Sequence, residues 1–189
     1  MNDRELYAFA MAGGKAAFKD NCATCHGSGA EGGVGYPNLN DDDWIWGGRI
    51  DDIHQTLQHG IRVEGDYDTR ISAMPAFGVD DLLTSKEIKA VTHYVMTLSG
   101  GKAKGDAAQG AVIFAEQCAS CHGDNGQGLQ EMGAPNLADK IWLYGGDSHS
   151  IYETIYNARA GMMPAWKDRL DENTIRQLSV YIHQLGGGD

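Results

Sequence analysis

The chain has 189 residues and a formal net charge of −11 at pH 7, with 42% apolar and 22% charged residues. That balance describes a globular chain with room for one ordinary domain or two small ones, and it excludes a disordered polymer. The acidity excludes nucleic acid as a natural partner and favours basic protein surfaces.

From the N-terminus, Asn2-Asp3-Arg4-Glu5 is polar where the apolar core of a secretory signal would follow. The longest clean apolar run, Tyr7 to Ala12, has 6 residues, against the about 20 that cross a bilayer. A helix carrying Gly14 and Phe18 is expected to lead into Cys22-Ala-Thr-Cys25-His26-Gly27. A Gly-rich stretch then holds Pro37-Asn38-Leu39 and Trp44-Ile-Trp46-Gly-Gly48. A short helix is expected over roughly Asp51 to His59, before a polar stretch from Arg62 to Arg70 and then Met74-Pro75-Ala76. Thr84-Ser-Lys-Glu87 is a capping box, in which the Thr hydroxyl and Glu carboxylate satisfy first-turn backbone donors. The helix it opens carries the apolar stripe Ile88, Val91, Val95, Leu98.

After Ser99-Gly-Gly-Lys-Ala-Lys-Gly105, a small-residue linker, the pattern returns. Asp106 is expected to cap a helix with Gly110 and Phe114, which runs into Cys118-Ala-Ser-Cys121-His122-Gly123. Pro135-Asn136-Leu137, Trp142-Leu-Tyr144-Gly-Gly146 and Met163-Pro164-Ala165 follow in the same order. A short helix over Ser148 to Arg159 precedes that Met. A closing helix starts at Asp171, with the stripe Ile175, Leu178, Ile182, Leu185 at spacings identical to the first. The reading is all-α: two tandem homologous domains, 1–99 and 106–189, joined by a linker at 100–105. The polar stretch before Met74 is the main length difference between the repeats. Each unit is too small to build a robust apolar core unaided.

Cys-x-x-Cys-His is the signature of c-type haem attachment. On one helical turn the two thiols share a face and can add to the two vinyl groups of a haem, while the His one residue on can reach the iron. Cys22, Cys25, Cys118 and Cys121 are the expected attachment residues, with His26 and His122 as iron ligands. The cofactors expected are two covalently bound haem c groups. A zinc site or redox dithiols could also use paired CxxC, but neither needs a His after both pairs nor a repeated Met-Pro downstream. Met74 and Met163 are the expected sixth ligands, because a thioether is a soft ligand that raises the iron potential. Met-Pro favours extended backbone at the Met. Core packing is the ordinary use of methionine, and the repeat match argues for ligation at both; Met162 is the rival to Met163. His54, His59, His93, His149 and His183 have no repeat-matched His and read as surface or packing residues. Arg62 and Arg159 could each pair with a propionate, although a solvated surface Arg explains them as well. Trp44 and Trp142 are explained by packing. Gly14/Phe18 and Gly110/Phe114 would let opening and closing helices cross near Tyr94 and Tyr181, as in class I cytochromes c.

The stretches Asn21-Cys-Ala-Thr-Cys-His-Gly27, Gly35-Tyr-Pro-Asn-Leu-Asn-Asp-Asp-Asp-Trp-Ile-Trp-Gly-Gly48, Ala134-Pro-Asn-Leu-Ala-Asp-Lys-Ile-Trp-Leu-Tyr-Gly-Gly146 and Gly161-Met-Met-Pro-Ala165 resemble the dihaem subunit III of cbb-type cytochrome c oxidases. The resemblance covers essentially the whole chain. It implies an electron relay in aerobic respiration, taking electrons from donor cytochromes c and passing them to the monohaem and catalytic subunits of a haem–copper terminal oxidase. It also implies a periplasmic location and an inner-membrane anchor, so a targeting or anchoring segment is expected in the gene product. The family's ligand positions fall on His26 with Met74 and His122 with Met163. A diffusible dihaem carrier is the runner-up. A dihaem peroxidase is the third reading, and it would need one iron with an exchangeable site.

Overall fold

The structure is a computed structural model that describes residues 3–102 and 105–187. Among those residues the regular structure is helical, as expected. The helices are α1 (Arg4–Asn21), α2 (Ala23–His26), α3 (Ile50–His59), α4 (Ser85–Leu98), α5 (Ala107–Gln117), α6 (Ala119–His122), α7 (Ser148–Asn157) and α8 (Glu172–Gly186), with a 3-10 turn at Gln130–Met132. No helix of the described residues is long and apolar enough to cross a membrane.

Four of the eight helices start at a side-chain cap. The Asp3 carboxylate accepts from the backbone N–H groups of Glu5 and Leu6, and Asp147 and Asp171 do the same for α7 and α8. The Thr84–Glu87 capping box is formed in both directions. Asp106 departs from expectation. It stands at the N-cap of α5 but makes no side-chain cap bond. Its carboxylate instead accepts from Nδ1 of His93, a buried residue of α4. A buried imidazole N–H requires an acceptor, whereas the first-turn N–H groups of the exposed Ala108 and Gln109 can bond to water.

The expected domain boundaries at 1–99, 100–105 and 106–189 describe the repeat in sequence but not the compact units in space. One unit is made of the residues up to Ile71 together with those from Gly161 onward; the other is Ser72–Ala160. The closing helices are therefore exchanged: α8 packs on α1, and α4 packs on α5. A short connection between helices favours antiparallel neighbours, and α4 and α5 are joined by one. Ala103 and Lys104 of that linker lie outside the described residues. The sequence could not reveal the exchange, because α4 and α8 carry the same apolar stripe and the same crossing residues.

Both crossings are built alike. A Cβ on Gly14 would collide with the backbone carbonyl of Gln177, and one on Gly110 with that of Ala90. Phe18 meets Tyr181 with ring centroids 5.6 Å apart, and Phe114 meets Tyr94 at 5.3 Å. In the first unit Phe18, Ile53, Leu57, Ile175, Leu178 and Ile182 form the core with Cys22. In the second, Phe77, Ile88, Val91, Val95, Phe114 and Ile155 form it, with Cys118 packed alongside. Each cysteine motif thus borders a small apolar core.

Candidate functional site

In the first unit, α1 stops at Cys22 and the chain winds one further turn, α2. The backbone N–H of Cys22 donates to Phe18 O at 2.8 Å, and that of His26 donates to Cys22 O at 2.9 Å. Cys22 is buried and Cys25 exposed. Gly27, at φ 82°, takes the left-handed exit from the turn, where a side chain would be strained. The loop then returns so that the carbonyl of Pro37 lies 3.1 Å from His26 Nδ1. A carbonyl can only accept, so Nδ1 carries the proton and Nε2 keeps the lone pair available to a metal. Burial pushes the His26 imidazole below its ordinary pKa, partly opposed by the Pro37 bond. Burial, then the neighbouring Cys25, raise the Cys22 thiol to about 11. Trp44 ties this loop to the end of α8, its Nε1 donating to Gly186 O at 2.7 Å.

The second unit repeats the design. Cys118 N–H donates to Phe114 O at 2.8 Å, His122 N–H to Cys118 O at 2.9 Å, and His122 Nδ1 lies 3.1 Å from Pro135 O. His122 is lowered by burial with the same partial offset from its carbonyl partner, and Cys118 is raised to about 11 by burial and then by Cys121. The Pro carbonyls had a signal in the sequence: Pro-Asn-Leu recurs after both motifs. It does not say that the carbonyl orients the His.

The methionines are placed differently from expectation. Met163 packs against the core that contains Cys22, and Met74 against the core beside Cys118. The structure thus puts Met163, not Met74, in the unit of His26, and Met74, not Met163, in the unit of His122. Met162, the rival, is 71% exposed. Matched backbone bonds hold each Met segment to the short helix of its own unit. Trp166 N–H donates to Leu57 O and Lys167 N–H to Gln58 O; at the matched positions Phe77 N–H donates to Ile155 O and Gly78 N–H to Tyr156 O.

Three of the remaining histidines stand beside other groups. His54 Nε2 lies 3.3 Å from Glu172, His59 Nδ1 3.1 Å from Asp66, and His183 Nδ1 donates to Gly48 O at 3.0 Å. Arg62 donates to Gly161 O and stands 6.0 Å from the Trp46 ring centre, while Arg159 donates to Tyr144 O and stands 5.1 Å from that ring. Trp46 and Tyr144 are repeat-matched, so each unit seats an Arg on the same aromatic position. Among the described residues, His59, Asp66 and Asp68 are the one group of three metal-ligating side chains whose atoms all lie within 4.8 Å. Cys22, Cys25 and His26 do not converge as zinc ligands would, and neither do Cys118, Cys121 and His122.

A thiol pair on one turn, a His with its Nε2 available and a thioether on the same small core together fit a covalently attached haem. This arrangement of helices and motifs is the cytochrome c fold, present twice. Comparison with known proteins narrows the class. The family described as cytochrome c oxidase, cbb3-type, subunit III matches residues 9–95 and 105–182. The cbb3-type cytochrome c oxidase subunit FixP of Bradyrhizobium sp. (strain ORS 278) is 56% identical over 188 residues, and that of Bradyrhizobium diazoefficiens is 57% identical. Subunit CcoP of Cereibacter sphaeroides is 53% identical. These alignments cover 98% to 99% of this chain, which spans 64% to 65% of each relative's length. The chain belongs to the cbb3-type cytochrome c oxidase subunit III family.

Proposed function

We propose that the chain is a dihaem electron relay, taking electrons from a donor cytochrome c and delivering them to the monohaem and catalytic subunits of a cbb3-type oxidase on the periplasmic side. The observation that carries this reading is that each compact unit brings together one CxxCH motif and one Met-Pro-Ala segment. Cys22 and Cys25 would hold one haem, with His26 and Met163 on its iron; Cys118 and Cys121 would hold the other, with His122 and Met74. A haem iron between imidazole and thioether supplies one-electron exchange at a raised potential. The Pro37 and Pro135 carbonyls fix the imidazole tautomers.

The assignment to an oxidase rests on the relatives' names and on the matched motifs. Pyridine haemochrome spectroscopy, with haem staining after denaturing electrophoresis, should give two covalent haems per chain. One haem, or haem extractable into acidified organic solvent, would end the dihaem reading. Stopped-flow mixing of the reduced chain with oxygen and with peroxide should show slow reoxidation, and a partner oxidase core should reoxidise it fast. Rapid turnover with peroxide would replace the relay by a peroxidase, and failure to react with the oxidase core would favour the diffusible carrier.

A further inference from the structure

The polar stretch 62–70 has no counterpart in the second repeat, and it folds onto the Met163 segment. Arg62 N–H donates to Arg70 O at 2.8 Å, closing the stretch into a loop. Inside it the Asp66 side chain is only 6% exposed and receives two other segments at once. Lys167 Nζ lies 2.9 Å from its Oδ2, and His59 Nδ1 lies 3.1 and 3.2 Å from its two oxygens. Lys167 follows Met163 by four positions. His59 is the last residue of α3, two before Ile61, whose backbone N–H and C=O both pair with Met163, at 2.9 and 3.1 Å. One carboxylate therefore joins the end of α3, the inserted loop and the Met163 segment. The Lys167 ammonium lies 3.4 Å from His59 Nδ1, against the cluster of His59, Asp66 and Asp68. The second unit keeps the matching backbone bonds, but the position matched to Lys167 is Gly78, and the inserted loop is missing.

We propose that Asp66, clamped by Lys167 and His59, is a positioning residue for the Met163 thioether, making ligation in the first unit harder to displace than ligation by Met74. An exposed ion pair would contribute little. Here the carboxylate is 6% exposed although Lys167 is 39% exposed, and loss of its charge leaves both donors with only a neutral, weaker acceptor at the root of the ligand segment. The proposal rests on Met163 being the sixth ligand of the haem attached at Cys22 and Cys25.

The test uses the full chain with both haems and reads the sulfur-to-iron charge-transfer band and the binding of added imidazole to the ferric protein. Asp66→Asn and Lys167→Met should each tighten imidazole binding at one of the two haems by about tenfold. The effect should vanish in a Met163→Ala background and persist in Met74→Ala, and Lys167→Arg should retain most of the wild-type resistance. Unchanged imidazole binding in Asp66→Asn, when Met163→Ala opens a haem, would overturn the clamp alone. Equal opening of both haems would also overturn it, as general destabilisation. An intact band in Met163→Ala would instead overturn the ligand assignment on which the clamp depends.

Discussion

Met162 and Met163 are chemically identical neighbours, yet one is 71% exposed and the other lies against the core with Cys22. Replacing Met163 or Met74 by Leu should remove about half of the sulfur-to-iron band and lower the potential of the affected haem, because the soft thioether ligand is lost. Replacing Met162 should do neither. Near-infrared spectra and redox titration of the three variants check this, and an effect from Met162 alone would show that the Met163 placement is wrong. Asp66 adds a pH dependence. Its hydrogen bond from Lys167, the largest cause, and those from His59 and the Asp68 backbone hold its carboxyl at about 2, below the ordinary 3.8. A folded-state value below the unfolded one stabilises the fold above the ordinary carboxylate range and loses that contribution as the pH falls from about 4 towards about 2. Thermal unfolding followed across that window should therefore fall more steeply in the wild type than in Asp66→Asn.

At the level of elements, the crossings of α1 with α8 and of α4 with α5 depend on a missing side chain. Gly110→Ala places a methyl group against the carbonyl of Ala90, and backbone cannot yield as a flexible side chain does. Overpacking of this kind costs about 1–3 kcal/mol. Phe114, 1% exposed, fills the space beside the same crossing, and Phe114→Ala should cost about 3–5 kcal/mol through the cavity it leaves. Chemical denaturation of the holoprotein measures both, and the second-unit haem should respond first. A Gly110→Ala variant as stable as the wild type would mean that α4 and α5 cross elsewhere.

For the whole molecule, the exchange of closing helices sets what can be cut. Residues 72–160 contain α4 to α7, both cysteines of the second motif, His122 and Met74. Matured as a fragment, 72–160 should fold cooperatively around one haem and show the sulfur-to-iron band. The fragment 106–189, a complete repeat in sequence, keeps Met163 but lacks α4 and Met74, and should be markedly less stable. Thermal melts of the two fragments decide between the spatial unit and the sequence repeat. The charge of −11 predicts a further property: association with a basic donor cytochrome should slow as ionic strength rises. Stopped-flow rates across a salt series would reveal a flat dependence if the acidic surface lies away from the docking face.

By itself the sequence determined the all-helical class, the doubled Cys-x-x-Cys-His and Met-Pro-Ala motifs, the capping box that starts α4 and the Asp171 cap that starts α8. These are local facts: periodicity, caps and spacing operate within a few turns of chain, so they can be read in order. The pairing of repeat halves could not be read that way. Tyr94 and Tyr181, or Ala90 and Gln177, serve equally well in pattern as partners for Phe18 and Gly14, and a degenerate pattern carries no address. Only the tertiary structure decided that α8 closes the first unit and α4 the second, which places Met163 with Cys22 and Met74 beside Cys118. The roles of Pro37 O, Pro135 O and the Asp66–Lys167 contact were hidden for the same reason. A backbone carbonyl leaves no mark in the sequence, and an ion pair between residues a hundred positions apart exists only once packing has brought them together.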